Sequence, residues 1–140
     1  MKPHPVDSTA LRTTLEARPE VLFAYLFGSC ATGDITPLSD VDIAIYTAPE
    51  TGGYDKKLEL WHGLSTALKT EKLDLVLLNS APVSLVFRVL QKRTLLLDRD
   101  PLKRHAFESL MMRKYFDFSD MEKKILERRF DTKQPETLHG

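Results

Sequence analysis

The sequence has few of the features that mark disulfide-rich, nucleic-acid-binding or membrane proteins. Its 140 residues include one cysteine, Cys30, which excludes an internal disulfide and suits a reducing cytoplasm. Twenty basic and twenty acidic residues cancel, so general phosphate attraction gives no reason to expect nucleic-acid binding. No apolar run approaches the roughly 20 residues that span a bilayer, and no apolar signal core follows Met1. We therefore expect a cytoplasmic protein with no membrane contact and no direct nucleic-acid binding.

Internal repeats and low-complexity tracts are missing too, and what is present is ordinary for one globular domain. Hydrophobic residues make up 42% and charged residues 29% of the chain, as in a typical compact fold. The length also fits one domain. We predict a single domain over 8–130, with its core at about 20–100 and a C-terminal helical extension at about 101–130. Residues 131–140 are predicted to be a frayed, flexible tail.

Hydrophobic periodicity predicts helices that alternate with strands. Strands are expected at 21–27, where the run is densely apolar, at 40–46 and 72–78, where apolar residues alternate, and briefly at 94–97. Helices are expected from Ser8 to before Pro19, over 54–69, from Pro82, and over 101–130. This order favours an α/β fold of two layers, with helices packed on one side of a small mixed sheet.

The pair Asp40 and Asp42 is the first candidate for chemistry. Two residues apart on a strand, their carboxylates project from the same face. Like charges side by side are unfavourable unless a cation or a proton intervenes. Magnesium is usually held by one or two carboxylates, with substrate phosphates and water completing its shell. Taken alone, such a pair is also typical of a solvated strand edge. The surrounding residues therefore decide between a metal site and a strand edge.

That context begins with Gly28 and Ser29, which follow the first buried strand. A glycine at this point allows close approach to the backbone, and a helix starting at Ser29 would offer free N–H groups to a phosphate. The alternative without a ligand is that Gly28 is a turn glycine and that Ser29 is only a helix cap. The connection between the two strands has twelve residues, which is too many for a tight hairpin. This length indicates that the connection does more than reverse the chain.

Asp74 lies in the third strand, opposite its leucine face. A strand otherwise built from leucine and valine has no packing reason to hold a carboxylate. A third carboxylate beside a metal pair could bind a second ion and take the proton from an attacking hydroxyl. The alternative is a strand-end residue facing solvent or an arginine.

The spacing Gly28-Ser29, ten residues, then Asp40-Val41-Asp42 resembles the signature of the polymerase-β-like nucleotidyltransferase superfamily. Asp74 in Leu73-Asp74-Leu75-Val76 resembles its third carboxylate. The short length resembles the minimal nucleotidyltransferase (MNT) antitoxins that are paired with HEPN ribonuclease toxins. The resemblance implies a polymerase-β-like fold, magnesium held by Asp40, Asp42 and Asp74, and a triphosphate gripped by Gly28 and Ser29.

What the resemblance implies for function is transfer of AMP from ATP to a tyrosine hydroxyl of a HEPN toxin, which silences the toxin. A hetero-oligomer with that toxin is a further implication. Two alternatives remain: a nucleotidyltransferase that acts on a small molecule such as an aminoglycoside, and a non-catalytic antitoxin that acts by binding alone. The sequence departs from many relatives in having no basic residue directly after Gly-Ser, which leaves open the group that neutralises the triphosphate.

Other chemically interesting residues favour structural roles. Cys30 has no histidine near it in sequence, and His62 and His105 have no metal-ligand spacing. Trp61 is expected in the core. The segment 113–130 mixes apolar and charged residues and either docks a partner or caps the sheet. Six basic residues are clustered in one stretch of the sequence: Arg88, Lys92, Arg93, Arg99, Lys103 and Arg104. We expect them to lie on solvated helix faces. The alternative is that some of them contact the triphosphate or an acidic surface of a partner.

Overall fold

The computed structural model describes residues 8–28, 40–48 and 54–138, and within them helices alternate with strands as the periodicity predicts. The strands match the predicted segments to within one or two residues. The helix after β4 was expected over 101–130 and is longer, since it continues past Phe130 to Leu138. The elements are α1 (Ser8–Glu16), β1 (Val21–Phe27), β2 (Val41–Thr47), α2 (Tyr54–Leu68), β3 (Leu73–Leu77), α3 (Val83–Gln91), β4 (Arg93–Asp98) and α4 (Pro101–Leu138).

The four strands form one mixed sheet in the order β3-β2-β1-β4. β1 lies in the middle and pairs antiparallel with both β2 and β4, whereas β2 pairs parallel with β3. The sheet therefore has β3 as one edge, directly beside the strand that carries Asp42. The mixed α/β fold is confirmed.

Helices cover both faces of this sheet, so the expectation of two layers with helices on one side was wrong. On one face, α1 and α2 bury residues such as Leu11 and Leu60 against Ala24 and Ile43. On the other face, α3 and the start of α4 pack against the strands, and this layer is rich in aromatic rings, with Phe23 stacked on Tyr46 at 4.7 Å between ring centroids. We call these the α1/α2 face and the α3/α4 face.

The α3/α4 face is covered because β1 is apolar on both sides. Phe23, Tyr25 and Phe27 point towards it, while Ala24 and Leu26 point the other way. Burying both sets of side chains requires a layer on each side of the sheet. The amphipathic α3 supplies part of the second layer by burying Val86, Val89 and Leu90.

Polar contacts fix α4 to the sheet. The hydroxyl of the fully buried Tyr25 donates a 2.5 Å hydrogen bond to Glu108 on α4. Arg104 lies 3.3 Å from the same carboxylate and 2.9 Å from Asp98 at the end of β4. The guanidinium of Arg93 lies 3.6 Å from Glu108 and 5.6 Å from the Tyr25 ring centre. These contacts orient the first turns of α4 where the sequence offered only a charged pattern.

Across the described part of the chain, none of the helices combines the length and the apolar character needed to cross a bilayer.

Candidate active site

Three neighbouring strands bring Gly28, Asp42 and Asp74 into one row at one end of the sheet. Phe27, the last residue of β1, lies opposite Asp42, and Asp42 lies opposite Asp74 in the parallel pair of β2 and β3. Alternation along the strands places both carboxylates on the α3/α4 face, together with Ala44 and Val76. Asp40 directly precedes β2 and is exposed.

The neighbouring carboxylates act electrostatically on Asp42. Burial raises the pKa of Asp42 above its ordinary value of 3.8, and the negative charges of Asp74 and Asp40 raise it further. Arg88 acts in the opposite direction. Asp42 is partly buried, whereas Asp40 and Asp74 are exposed. Positive charge placed beside Asp42 would therefore act against these effects and stabilise its ionised form.

This donor set fits a divalent cation that shares its ligands with a substrate. Within the ranges that the structure describes, no three acidic, histidine or cysteine side chains are gathered into a ready-made metal cage. Magnesium does not require one, because it usually takes one or two carboxylates and fills its other positions with phosphate oxygens and water. Oxygen ligands whose charges repel one another are the chemistry that such an ion stabilises.

A cleft of about 580 Å³ opens beside the carboxylate row, at the edge of the sheet formed by β3. Asp42 and Asp74 line it together with two cations, Lys57 from the first turn of α2 and Arg88 from α3. Its volume is in the range of small-ligand sites. Both signs of charge meet in this cleft, as a site for a metal-bound polyphosphate requires.

A second, more apolar groove of about 390 Å³ adjoins the cleft along β3. It shares Lys57, Asp74 and Leu75 with the cleft, and adds Leu58 and Trp61 from α2. The Trp61 indole N–H donates a 2.9 Å hydrogen bond to the carbonyl of Leu73 on β3. Asp74 therefore borders both depressions.

Gly28 has a backbone conformation that requires glycine. Its φ is +74°, and a Cβ built there would collide with the carboxylate oxygen Oδ2 of Asp42. The close approach that the sequence predicts for this glycine is therefore occupied by Asp42. A larger residue would push the carboxylate out of the row.

The remaining predicted residues are distributed as follows. Ser29 and Cys30 lie outside the described residues. His62 and His105 are exposed on α2 and α4, and the Arg104 and His105 side chains approach within 3.4 Å. Trp61 is half-buried at the border of the core.

The basic cluster divides into separate roles. Arg88 reaches the cleft, and Lys92 is exposed. Arg93 and Arg104 pair with Glu108, and Arg99 donates to the carbonyl of Glu16 at the end of α1 over 3.0 Å. The expectation of solvated side chains holds for most of the cluster, because four of the six are exposed: Arg88, Lys92, Arg93 and Arg99. Lys57 was missed entirely, although its place in the first turn of the helix after β2 was an available signal.

Solved structures of toxin–antitoxin complexes resemble the chain closely. A chain of a toxin–antitoxin complex with AMP-PNP is 25% identical, with a TM-score of 0.75 over 89% of this chain and 99% of that one. A chain of a mutant MntA–HpeT complex is 26% identical, with a TM-score of 0.73 over 89% and 98%. A chain of the complex between tri-AMPylated Shewanella oneidensis HEPN toxin and MNT antitoxin, at 24% identity and a TM-score of 0.67 over 88% and 95%, shows the same fold.

Among curated proteins, none matches the chain significantly by sequence. The model of one protein family, "Polymerase beta, Nucleotidyltransferase", matches residues 9–102. That range contains all four strands, the carboxylate row and both cations of the cleft. The chain therefore belongs to the polymerase beta nucleotidyltransferase family.

Proposed function

We propose that the protein is an MNT-type antitoxin that transfers AMP from ATP to a tyrosine hydroxyl of a HEPN toxin and thereby inactivates the toxin in the cytoplasm. The observation that carries the proposal is the row of Gly28, Asp42 and Asp74, whose two carboxylates line one cleft together with Lys57 and Arg88. The toxin–antitoxin complexes reported above support the choice of partner. One of them contains AMP-PNP and another an AMPylated toxin.

In this proposal Asp40 and Asp42 hold magnesium, and Asp74 completes the metal site. The ion, when bound, neutralises phosphate charge and stabilises charge on the entering and leaving oxygens. Gly28 and Ser29 grip the triphosphate. Lys57 and Arg88 supply the positive charge that the residues directly after Gly-Ser do not.

The reaction is an in-line substitution at phosphorus. The acceptor oxygen forms a bond to the α-phosphorus of ATP, and the bond from that phosphorus to the oxygen bridging the α- and β-phosphates breaks. Pyrophosphate leaves with that electron pair, and the hydroxyl proton passes to the carboxylate of Asp74. Asp74 is suited to this task because it is exposed and borders both the cleft and the apolar groove.

The decisive experiment is intact-mass spectrometry of a purified HEPN toxin partner after incubation with this protein, ATP and magnesium. We expect mass gains in whole AMP units, which Asp42→Asn abolishes. Asp55→Asn is the matched control, because Asp55 is exposed in the first turn of α2 and lines neither depression. The control variant is expected to retain the activity.

The other outcomes select between the alternatives. A toxin that gains no mass but is still inhibited would show neutralisation by binding alone. A toxin that is neither modified nor inhibited would refute the antitoxin function and direct attention to small-molecule acceptors such as aminoglycosides.

A further inference from the structure

The last helix is far longer than its contact with the domain. α4 has 38 residues, which corresponds to about 57 Å at 1.5 Å per residue. Phe107 is buried against the sheet layer, and Met111 and Met112 are partly buried there. Tyr115 stacks on Phe87 of α3 at 3.8 Å between ring centroids. From residue 116 to residue 128, every side chain is exposed.

The apolar face of α4 nevertheless continues beyond the domain. Phe118 and Ile125 follow Met111 at intervals of seven residues, so they lie on the side of the helix that is buried earlier. With Met121 they form what we call the terminal stripe. These three side chains are 50%, 50% and 56% exposed for Phe118, Ile125 and Met121. Single exposed apolar residues are common, but an ordered row on one helix face is typical of an interface.

The charges beside the terminal stripe are arranged in two blocks of opposite sign. Residues 117–122 contain three acidic residues and no basic one, a net charge of −3. Residues 123–129 contain four basic residues and one acidic residue, a net charge of +3. Such a helix is complementary to an antiparallel copy of itself, since each acidic block then meets the basic block of the other copy. A parallel copy would place like charges together.

The positions of individual charges agree with this arrangement. With about 100° per residue, Asp117, Lys124 and Arg128 all lie on the same flank of the terminal stripe. Two antiparallel helices related by a two-fold axis bring the same flank of each helix together. Asp117 of one copy therefore lies near Lys124 and Arg128 of the other.

We propose that two copies of the protein associate through the terminal stripe as an antiparallel helix pair, with the two-fold axis near Glu122. No residue of α4 lines the cleft beside Asp42 and Asp74. The proposal does not depend on the AMP-transfer function.

Sedimentation velocity of the isolated full-length protein tests this directly. We expect a concentration-dependent dimer, and monomers for the double variant Phe118→Ser and Ile125→Ser. Leu102→Ser is the matched control, because Leu102 is apolar and 82% exposed on the same helix but lies away from the stripe. The control is expected to dimerise like the parent. Circular dichroism verifies that α4 stays helical in each variant.

Charge exchange then tests the antiparallel orientation. We expect Asp117→Lys, and separately Lys124→Glu with Arg128→Glu, to raise the dimer dissociation constant by about tenfold. An equimolar mixture of the two variants should restore dimers. A variant with all three changes should dimerise with itself and fail to pair with the parent, because its charges are reversed.

Three results would overturn the proposal. One is a parent protein that stays monomeric at the highest concentration that remains in solution. If the stripe variants of such a protein also lose binding to a HEPN toxin, the terminal stripe would be assigned to that partner instead. Another is a dimer that the stripe variants leave intact. The last is a three-change variant that pairs with the parent, which would indicate parallel helices.

Discussion

Replacing Gly28 with alanine tests the link between the backbone of β1 and the carboxylate of Asp42. The positive φ of +74° costs an alanine about 1–2 kcal/mol. The new Cβ also collides with Oδ2 of Asp42, and displacing a packed group typically costs about 1–3 kcal/mol. We therefore expect the free energy of unfolding to fall by about 2–5 kcal/mol. Because the displaced group is the proposed metal ligand, AMP transfer should fall as well.

Urea denaturation of Gly28→Ala beside Gly63→Ala provides the assay. Gly63 lies inside α2, and its added Cβ would meet the end of the flexible Arg18 side chain at 2.9 Å. Alanine is favoured over glycine in a helix by about 1 kcal/mol, so Gly63→Ala should be neutral or slightly stabilising. The same chemical change is thus expected to destabilise the protein at Gly28 but not at Gly63.

Adding Asp42→Ala separates the two causes of the Gly28→Ala loss. Without the Asp42 carboxylate, only the backbone cost should remain, so the two substitutions should be coupled by about 1–3 kcal/mol. Additive losses would show that the collision contributes nothing. A Gly28→Ala protein as stable and as active as the parent would refute the reasoning altogether.

Further predictions concern charge and burial. Arg88→Ala should lower kcat/KM for ATP by about 10- to 100-fold, as expected for one charge-assisted contact, whereas Lys92→Ala should leave it near the parent value in steady-state kinetics. Tyr25→Phe removes the hydrogen bond to Glu108 and should lower the free energy of unfolding in urea by about 1–2 kcal/mol. Burial raises the pKa of Glu20, but the hydrogen bonds to this carboxylate and the positive charges of Lys56 and Arg18 together outweigh burial and set the pKa below 4.5. The stability that Glu20 contributes is then present above that value and lost as the pH falls through the lower pKa. Glu20→Gln should be less stable than the parent in neutral urea titrations, and the difference should disappear in acid.

The strands and the carboxylate row were accessible from sequence because they depend on local patterns. Alternating apolar residues defined β2 and β3 and placed Asp42 and Asp74 opposite the leucine and isoleucine faces. The second helical layer was missed, although a strand such as β1, apolar at every position, indicates burial on both faces. Attention to that run would have predicted three layers.

Long-range polar contacts could not be predicted in the same way. Tyr25 and Glu108 are 83 residues apart, and no local pattern specifies their hydrogen bond. The same holds for Lys57 and Arg88, which converge on the cleft from two different helices on either side of β3. The predicted roles of Ser29, Asp40 and Asp74 remain predictions.

The position of Trp61 gives this protein an intrinsic optical reporter. It is the sole tryptophan of the chain, so the indole emission comes from one place, the groove where α2 meets the edge of β3. That groove shares Asp74 with the cleft, and the Trp61 N–H is bonded to the carbonyl of Leu73, next to Asp74. A ligand that enters this groove would change the surroundings of this one fluorophore, so its binding can be followed in real time without a label.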